Sequence, residues 1–167
     1  AYPQHTYSPW YPYRESIKTA EVRLSLIENP SFMLEDCVNL TSVDISQLDT
    51  SLSTNLSAMF RGCSSLKSID LSKMNTSKAT QISAMFADCS SLETLDLSNF
   101  DTSNVTAMSS LFSYAKNLKH IQFGEKFTTE KVTRSPYMFQ GCYALEELDL
   151  SSFAMPENNE MKVMFKF

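Results

Sequence analysis

Glycine is nearly missing from this chain. Three glycines in 167 residues exclude glycine-rich loops that cradle phosphate, which need several closely spaced. Histidine is scarcer still: of His5 and His120, neither has a nucleophile or carboxylate partner at motif spacing. No H-E-x-x-H or G-x-S-x-G run occurs, so no enzyme is expected and no catalytic residue is assigned. Cysteines at C-x2-C spacing are absent, and no metal or cofactor is expected. No apolar run approaches the roughly 18 residues a membrane helix needs. No signal peptide is visible in the opening AYPQHTYSPW, so attachment to a membrane would come through an anchor outside this chain. The net charge is -5 with no basic block, which argues against nucleic acid as a partner. What remains, 43% apolar and 20% charged residues, suits a soluble folded chain of about one domain.

What the chain has in abundance is repetition. Met33–Ala58 reads MLEDCVNLTSVDISQLDTSLSTNLSA, Met59–Ala84 MFRGCSSLKSIDLSKMNTSKATQISA, and Met85–Ser110 MFADCSSLETLDLSNFDTSNVTAMSS. Leu111–Tyr137 is a looser copy, and Met138 opens another. The period is 26 residues, and 27 once, which marks a repeat architecture. One copy cannot bury its own apolar face, so stacking is compulsory and both open ends need covers.

Each copy divides into three parts. An L-x-x-L-x-L segment such as Leu92/Leu95/Leu97 has strand alternation. With Ile17/Ala20/Val22 in a degenerate first coil, six such strands are expected. A D-T-S or N-T-S triplet follows (Asp49–Ser51, Asn75–Ser77, Asp101–Ser103), suited to an Asx-turn. Thr54, Thr80, Thr106 and Thr133 then stand as N-caps before apolar residues at helical spacing, as in Ile82/Met85/Phe86. The expected fold class is α/β: a leucine-rich-repeat-like solenoid with one parallel β-sheet of about six strands and short helices on the opposite side. Residues 1–16, rich in Tyr, Trp and Pro, form an aromatic amino-terminal cap. Residues 17–167 form the solenoid, with coils starting near 33, 59, 85, 111 and 138. The chain stops inside a sixth helical segment, where Met161, Met164 and Phe165 keep phase. Either a longer parent protein continues, or this half-coil is the cap.

Cys37, Cys63, Cys89 and Cys142 share one phase, and Ala115 takes that slot in the fourth copy. Alanine replaces a buried filler but not a metal ligand or half a disulfide, so reduced, buried thiols are expected. Methionine columns are read as core filler.

The outward strand positions make columns. Ser42, Ser68, Thr94, His120 and Glu147 form one; Asp44, Asp70, Asp96, Gln122 and Asp149 form the next. Strands about 4.8 Å apart would bring like charges together, so the aspartates must be wet, partly protonated or partnered. Two readings stay open: the aspartates shape the coil by bonding nearby hydroxyls and amides, or they form an acidic strip for a basic peptide or a cation. Bare carboxylates are a weak calcium site, since calcium takes six to eight oxygens. Asp44, Asp70, Asp96, His120, Gln122, Glu147 and Asp149 are the candidate ligand-binding residues. His120 breaks its column in the least regular copy, by drift or because a functional patch lies there.

The motif MFxGCSSLxxLDLSxFDTSNVTxMSxMF, held almost whole by Met85–Phe112, resembles the BspA-like leucine-rich repeats and the bacterial surface protein 26-residue repeat. Copy four departs from it at Ala115, Gln122, Gly124 and one extra residue near Lys126. The resemblance implies a right-handed solenoid on a lipid-anchored or wall-attached bacterial surface protein, extracellular and non-enzymatic. The expected function is adhesion: a concave sheet presented to a protein or glycan on a host or neighbouring cell, by a chain that is itself a monomer. The alternative is a stalk or spacer that holds another domain away from the cell envelope.

Overall fold

The structure is a computed structural model that describes residues 8–23, 26–154 and 164. It corrects the expected fold class. Neither the α/β class nor a single sheet of about six strands with helices behind it is what forms. Among the described residues the helical content is one three-residue 3-10 turn, Tyr11–Tyr13, and four short strands are present. Strand β1 (Thr19–Glu21) pairs in parallel with β2 (Ser42–Asp44), and β3 (Thr94–Leu97) with β4 (His120–Phe123), as two separate two-stranded sheets. The segment 66–71 lies between them without joining either. There the Leu71 carbonyl is taken by the side-chain amide of Asn99 at 3.0 Å.

The helices fail for a local reason. Two positions per coil, four residues apart, have left-handed backbone: Ala58 and Gly62, Ala84 and Asp88, Ser110 and Tyr114, Tyr137 and Gly141. A right-handed helix cannot pass through such residues. Alternate N–H groups also point at the next coil instead of back along a helix. Phe60 donates to the Met85 carbonyl at 3.1 Å, Phe86 to Leu111 at 3.0 Å and Phe112 to Met138 at 2.9 Å. The left-handed residues do the same: Ala58 donates to Ser83 at 2.9 Å and Gly62 to Ala87 at 2.8 Å. The apolar i, i+3, i+4 spacing is real, but a chain of tight turns satisfies it. The expected N-caps are also corrected. The hydroxyls of Thr80, Thr106 and Thr133 donate to the carbonyls of Thr54, Thr80 and Thr106, one coil back, at 3.1, 3.2 and 3.2 Å.

Coil is thus bonded to coil along several lines. Besides the strands and turns, parallel bridges link Asn55 to Gln81, Gln81 to Ala107 and Ala107 to Arg134. A fourth line is buried. Thr76 donates its hydroxyl to the Asp101 carbonyl at 3.0 Å and accepts the Asp101 N–H at 2.8 Å. Thr50 does the same with Asn75, and Thr102 with Thr128. A threonine here satisfies both backbone groups of one peptide position in the next coil, as a buried ladder requires.

The core runs along the stack. Phe60 and Phe86 lie 5.8 Å apart between ring centroids, Phe86 and Phe112 6.2 Å, and Phe112 and Phe139 5.4 Å, all nearly parallel. Leu66, Leu92 and Leu118 are fully buried beside them. The four cysteines are free and buried. The thiols of Cys63, Cys89 and Cys142 donate to the carbonyls of Leu34, Phe60 and Phe112 at 3.2, 3.1 and 3.1 Å. Burial pushes the Cys37 thiol up to about 11 and Cys89 and Cys142 to about 12.

At the first end Trp10 packs against the core, and its indole N–H donates to the Met33 carbonyl at 2.6 Å. Tyr2, His5 and Tyr7 of the expected cap lie outside the described residues, as do Met161 and Phe165. Met164 is buried, and its carbonyl accepts the Phe139 N–H at 3.0 Å. Phe112 makes the same bond to Met138 one coil earlier.

Candidate binding face

The strand segments hold alternate side chains outward, so the candidate residues share one face. Asp44, Asp70, Asp96, His120, Gln122, Glu147 and Asp149 are all exposed. Register places Asp96 opposite Gln122 in β3–β4, and a parallel bridge places His120 opposite Glu147. Glu21 lies opposite Asp44 in β1–β2, so the acidic column begins one coil earlier than expected. Its signal was in the sequence: laying IKTAEV over LTSVDI puts Glu21 in the aspartate slot.

How the like charges coexist is settled by their bonds. Each aspartate accepts the N–H of the serine two residues on: Ser46 to Asp44 at 2.8 Å, Ser72 to Asp70 at 2.9 Å, Ser98 to Asp96 at 2.8 Å and Ser151 to Asp149 at 2.9 Å. Hydrogen bonds from that serine's backbone and hydroxyl hold all four carboxyls below the usual carboxylate range. The neighbouring Asp70 charge pushes Asp44 and Asp96 the other way, and more weakly. The column is therefore wet, partnered and ionised, not shared-proton. Asp49 and Asp101 close the D-T-S turns in the same manner, bonding Ser51 and Ser103.

Beside the aspartates runs a column of alternating sign. Lys119 reaches Glu93 at 3.7 Å, and His120 Nε2 lies 3.8 Å from Glu146. All four of these side chains are about half exposed or more, so each pair contributes little stability. The Lys119–Glu93 pair does match charge to charge between adjacent coils. The face thus offers a fixed row of carboxylates with hydroxyls between them, flanked by mixed charge. Such a surface can complement a basic or hydrogen-bonding partner over several coils. Among the described residues no group of three or more His, Cys, Asp or Glu is placed to hold a metal ion. No helix among them is long and apolar enough to cross a membrane.

The family model described as "Mycoplasma protein of unknown function, DUF285" matches residues 15–121 and again 95–167. That match does not name the BspA-like repeats. No curated protein matches the chain. Among solved structures, it is similar to a leucine-rich cell surface protein from Faecalibacterium prausnitzii at 20% identity and a TM-score of 0.44. That likeness spans 77% of this chain and 41% of the other. It is also similar to the leucine-rich repeat protein of T. pallidum, at 20% identity and a TM-score of 0.42, over 78% of this chain and 66% of the other.

Proposed function

The chain belongs to the DUF285 family, and with that as premise we propose that it is a non-enzymatic, surface-associated interaction module. Its stacked coils present the strand face to a protein or glycan on a host or neighbouring cell. The observation that carries this reading is the row Asp44, Asp70 and Asp96, exposed, ionised and held in place by the N–H groups of Ser46, Ser72 and Ser98. A rigid row of charges gives an extended partner many modest contacts with little ordering cost on the module's side. An extracellular location fits the resemblance of the repeat to bacterial surface proteins.

A second reading has its own support. Every one of these carboxylates also closes a turn, so the row could serve only to shape a spacer. The two separate in one experiment. Replacing Asp44, Asp70 and Asp96 by Asn keeps an oxygen for each serine N–H and removes the charge. An array of glycans and host-surface proteins is probed with the parent and with the triple variant. The module reading expects at least one feature to be captured by the parent and about tenfold less by the variant, a loss near 1.4 kcal/mol. Equal capture by both removes the acidic row from the account, and no capture by the parent favours the spacer.

A further inference from the structure

Each aspartate of the row Asp44, Asp70 and Asp96 leads into a tight turn. The turns Ile45 to Leu48, Leu71 to Met74 and Leu97 to Phe100 are each closed by one N–H to carbonyl bond, at 2.9, 2.9 and 3.0 Å. The serine whose N–H holds the aspartate, Ser46, Ser72 or Ser98, lies inside that turn. Where a turn stands therefore decides where its carboxylate stands.

Strand pairing does not tie these three turns together. β1 pairs with β2 and β3 with β4, so a sheet spans neither the junction from Asp44 to Asp70 nor the one from Asp70 to Asp96. The buried threonines Thr50 and Thr76 bond across both junctions alike. At the second junction one side chain adds a further link. Asn99, the third residue after Asp96, donates its amide to the carbonyls of Leu71 and Met74, both at 3.0 Å. Those carbonyls belong to the two ends of the turn that holds Asp70. Gln47 and Lys73 occupy the same slot in the two coils before. Among the described residues neither side chain hydrogen-bonds to a neighbouring turn.

We propose that Asn99 is a positioning residue: it clamps the Asp70 turn to the Asp96 turn and makes these two carboxylates a pair of fixed spacing for a partner that spans them. This rests on the strand-face reading and deepens it. Asn99 acts through the two carboxylates. A partner that bridges a pre-set pair is spared the cost of ordering it. Asp44 has no such link to Asp70, so the row is tightest between its second and third members.

Carboxyl NMR titration of the 167-residue chain tests the clamp without a partner. The Asp70 charge pushes both Asp44 and Asp96 up. D70N is therefore expected to lower both midpoints, by about 0.5 pH unit at low salt. In the N99A background its effect on Asp96 should fall to about half or less, with its effect on Asp44 unchanged. Asn99 is exposed, so N99A should fold, as circular dichroism would check. On the array, any feature that the triple Asn variant captures poorly should be captured about threefold less by N99A than by the parent. A D70N effect on Asp96 that N99A leaves intact overturns the proposal. So does an effect that N99A weakens equally at Asp44, or capture that N99A leaves undiminished. If the parent captures nothing, the strand-face reading falls, and the titration still decides for or against the clamp.

Discussion

At the scale of single residues, the side chains that hold coil to coil are small and polar. Thr76 is buried, and its hydroxyl serves both the carbonyl and the N–H of Asp101. Thr76→Val keeps the volume but strands both groups, and should cost about 1–3 kcal/mol in urea denaturation. This buried ladder was not legible in the sequence, where the D-T-S triplet read as an Asx-turn alone. The Asp and Ser roles were visible; that every triplet also kept a threonine was the overlooked signal. Glu35 is buried as well, with Arg61 at 3.1 Å. Desolvation raises its carboxyl above the ordinary 4.5, against the pull of Arg61. A raised folded value means the folded state holds the proton longer, so Glu35 costs stability as pH climbs past about 4.5. The aspartates act oppositely. Their folded values are lowered from 3.8, so their contribution is present above about pH 4 and is lost as pH falls through those lowered values. Glu35→Gln should therefore gain stability relative to the parent between about pH 4 and pH 7, measured by urea midpoints at both. A gap that shrinks or stays level would mean that the Arg61 pairing outweighs burial.

At the scale of the element, the sequence and the structure part company over the turn segment. Leu56/Met59/Phe60 and Ile82/Met85/Phe86 have helical spacing, and all six are buried as that spacing demands. Burial alone does not tell a helix from a stack of tight turns. The deciding facts are the left-handed residues, and at Ala58 and Ala84 nothing in the residue type announces them. Gly62 and Gly141 at the companion position were the available hint. A test follows from the backbone. Ala84→Gly in a helix would lose about 1 kcal/mol. At a left-handed position, where alanine is strained by about 1–2 kcal/mol, it should be neutral or stabilising even after the unfolded-state entropy of glycine is counted. Thermal denaturation of the variant gives the sign. The strands were easier to read, because alternation fixes the outward columns wherever pairing occurs. The sequence could not show that 66–71 would drop out of the sheet, since it keeps the same alternation as the segments that pair.

At the scale of the whole molecule, the repeat period is the most legible feature and the most consequential. Bonds between residues about 26 apart recur in the strands, the turns, the bridges and the buried threonines. Each coil contacts its neighbours, so stability should be near a sum over coils and their junctions. The extra residue of copy four is absorbed at Phe123–Gly124: Phe123 pairs with Leu97, yet the Phe127 N–H donates to the Gly124 carbonyl at 3.0 Å, as Phe100 does to Leu97. Only glycine fits this close approach, because a Cβ on Gly124 would run into the Ser98 carbonyl. The partner is not legible at any of these scales, because each aspartate of the repeated row also closes a turn and is accounted for without a ligand. The stacking itself can be tested by removing one coil. Deleting residues 85–110 joins Ala84 to Leu111 in phase and brings Phe60 and Phe112 to neighbouring coils; deleting 85–97 leaves half a coil. Urea denaturation of the first variant should show one cooperative transition at a lower midpoint, with the second variant unfolded in buffer. An unfolded in-phase deletion, or a half-coil deletion that folds equally well, would contradict the account of coils as interchangeable rungs.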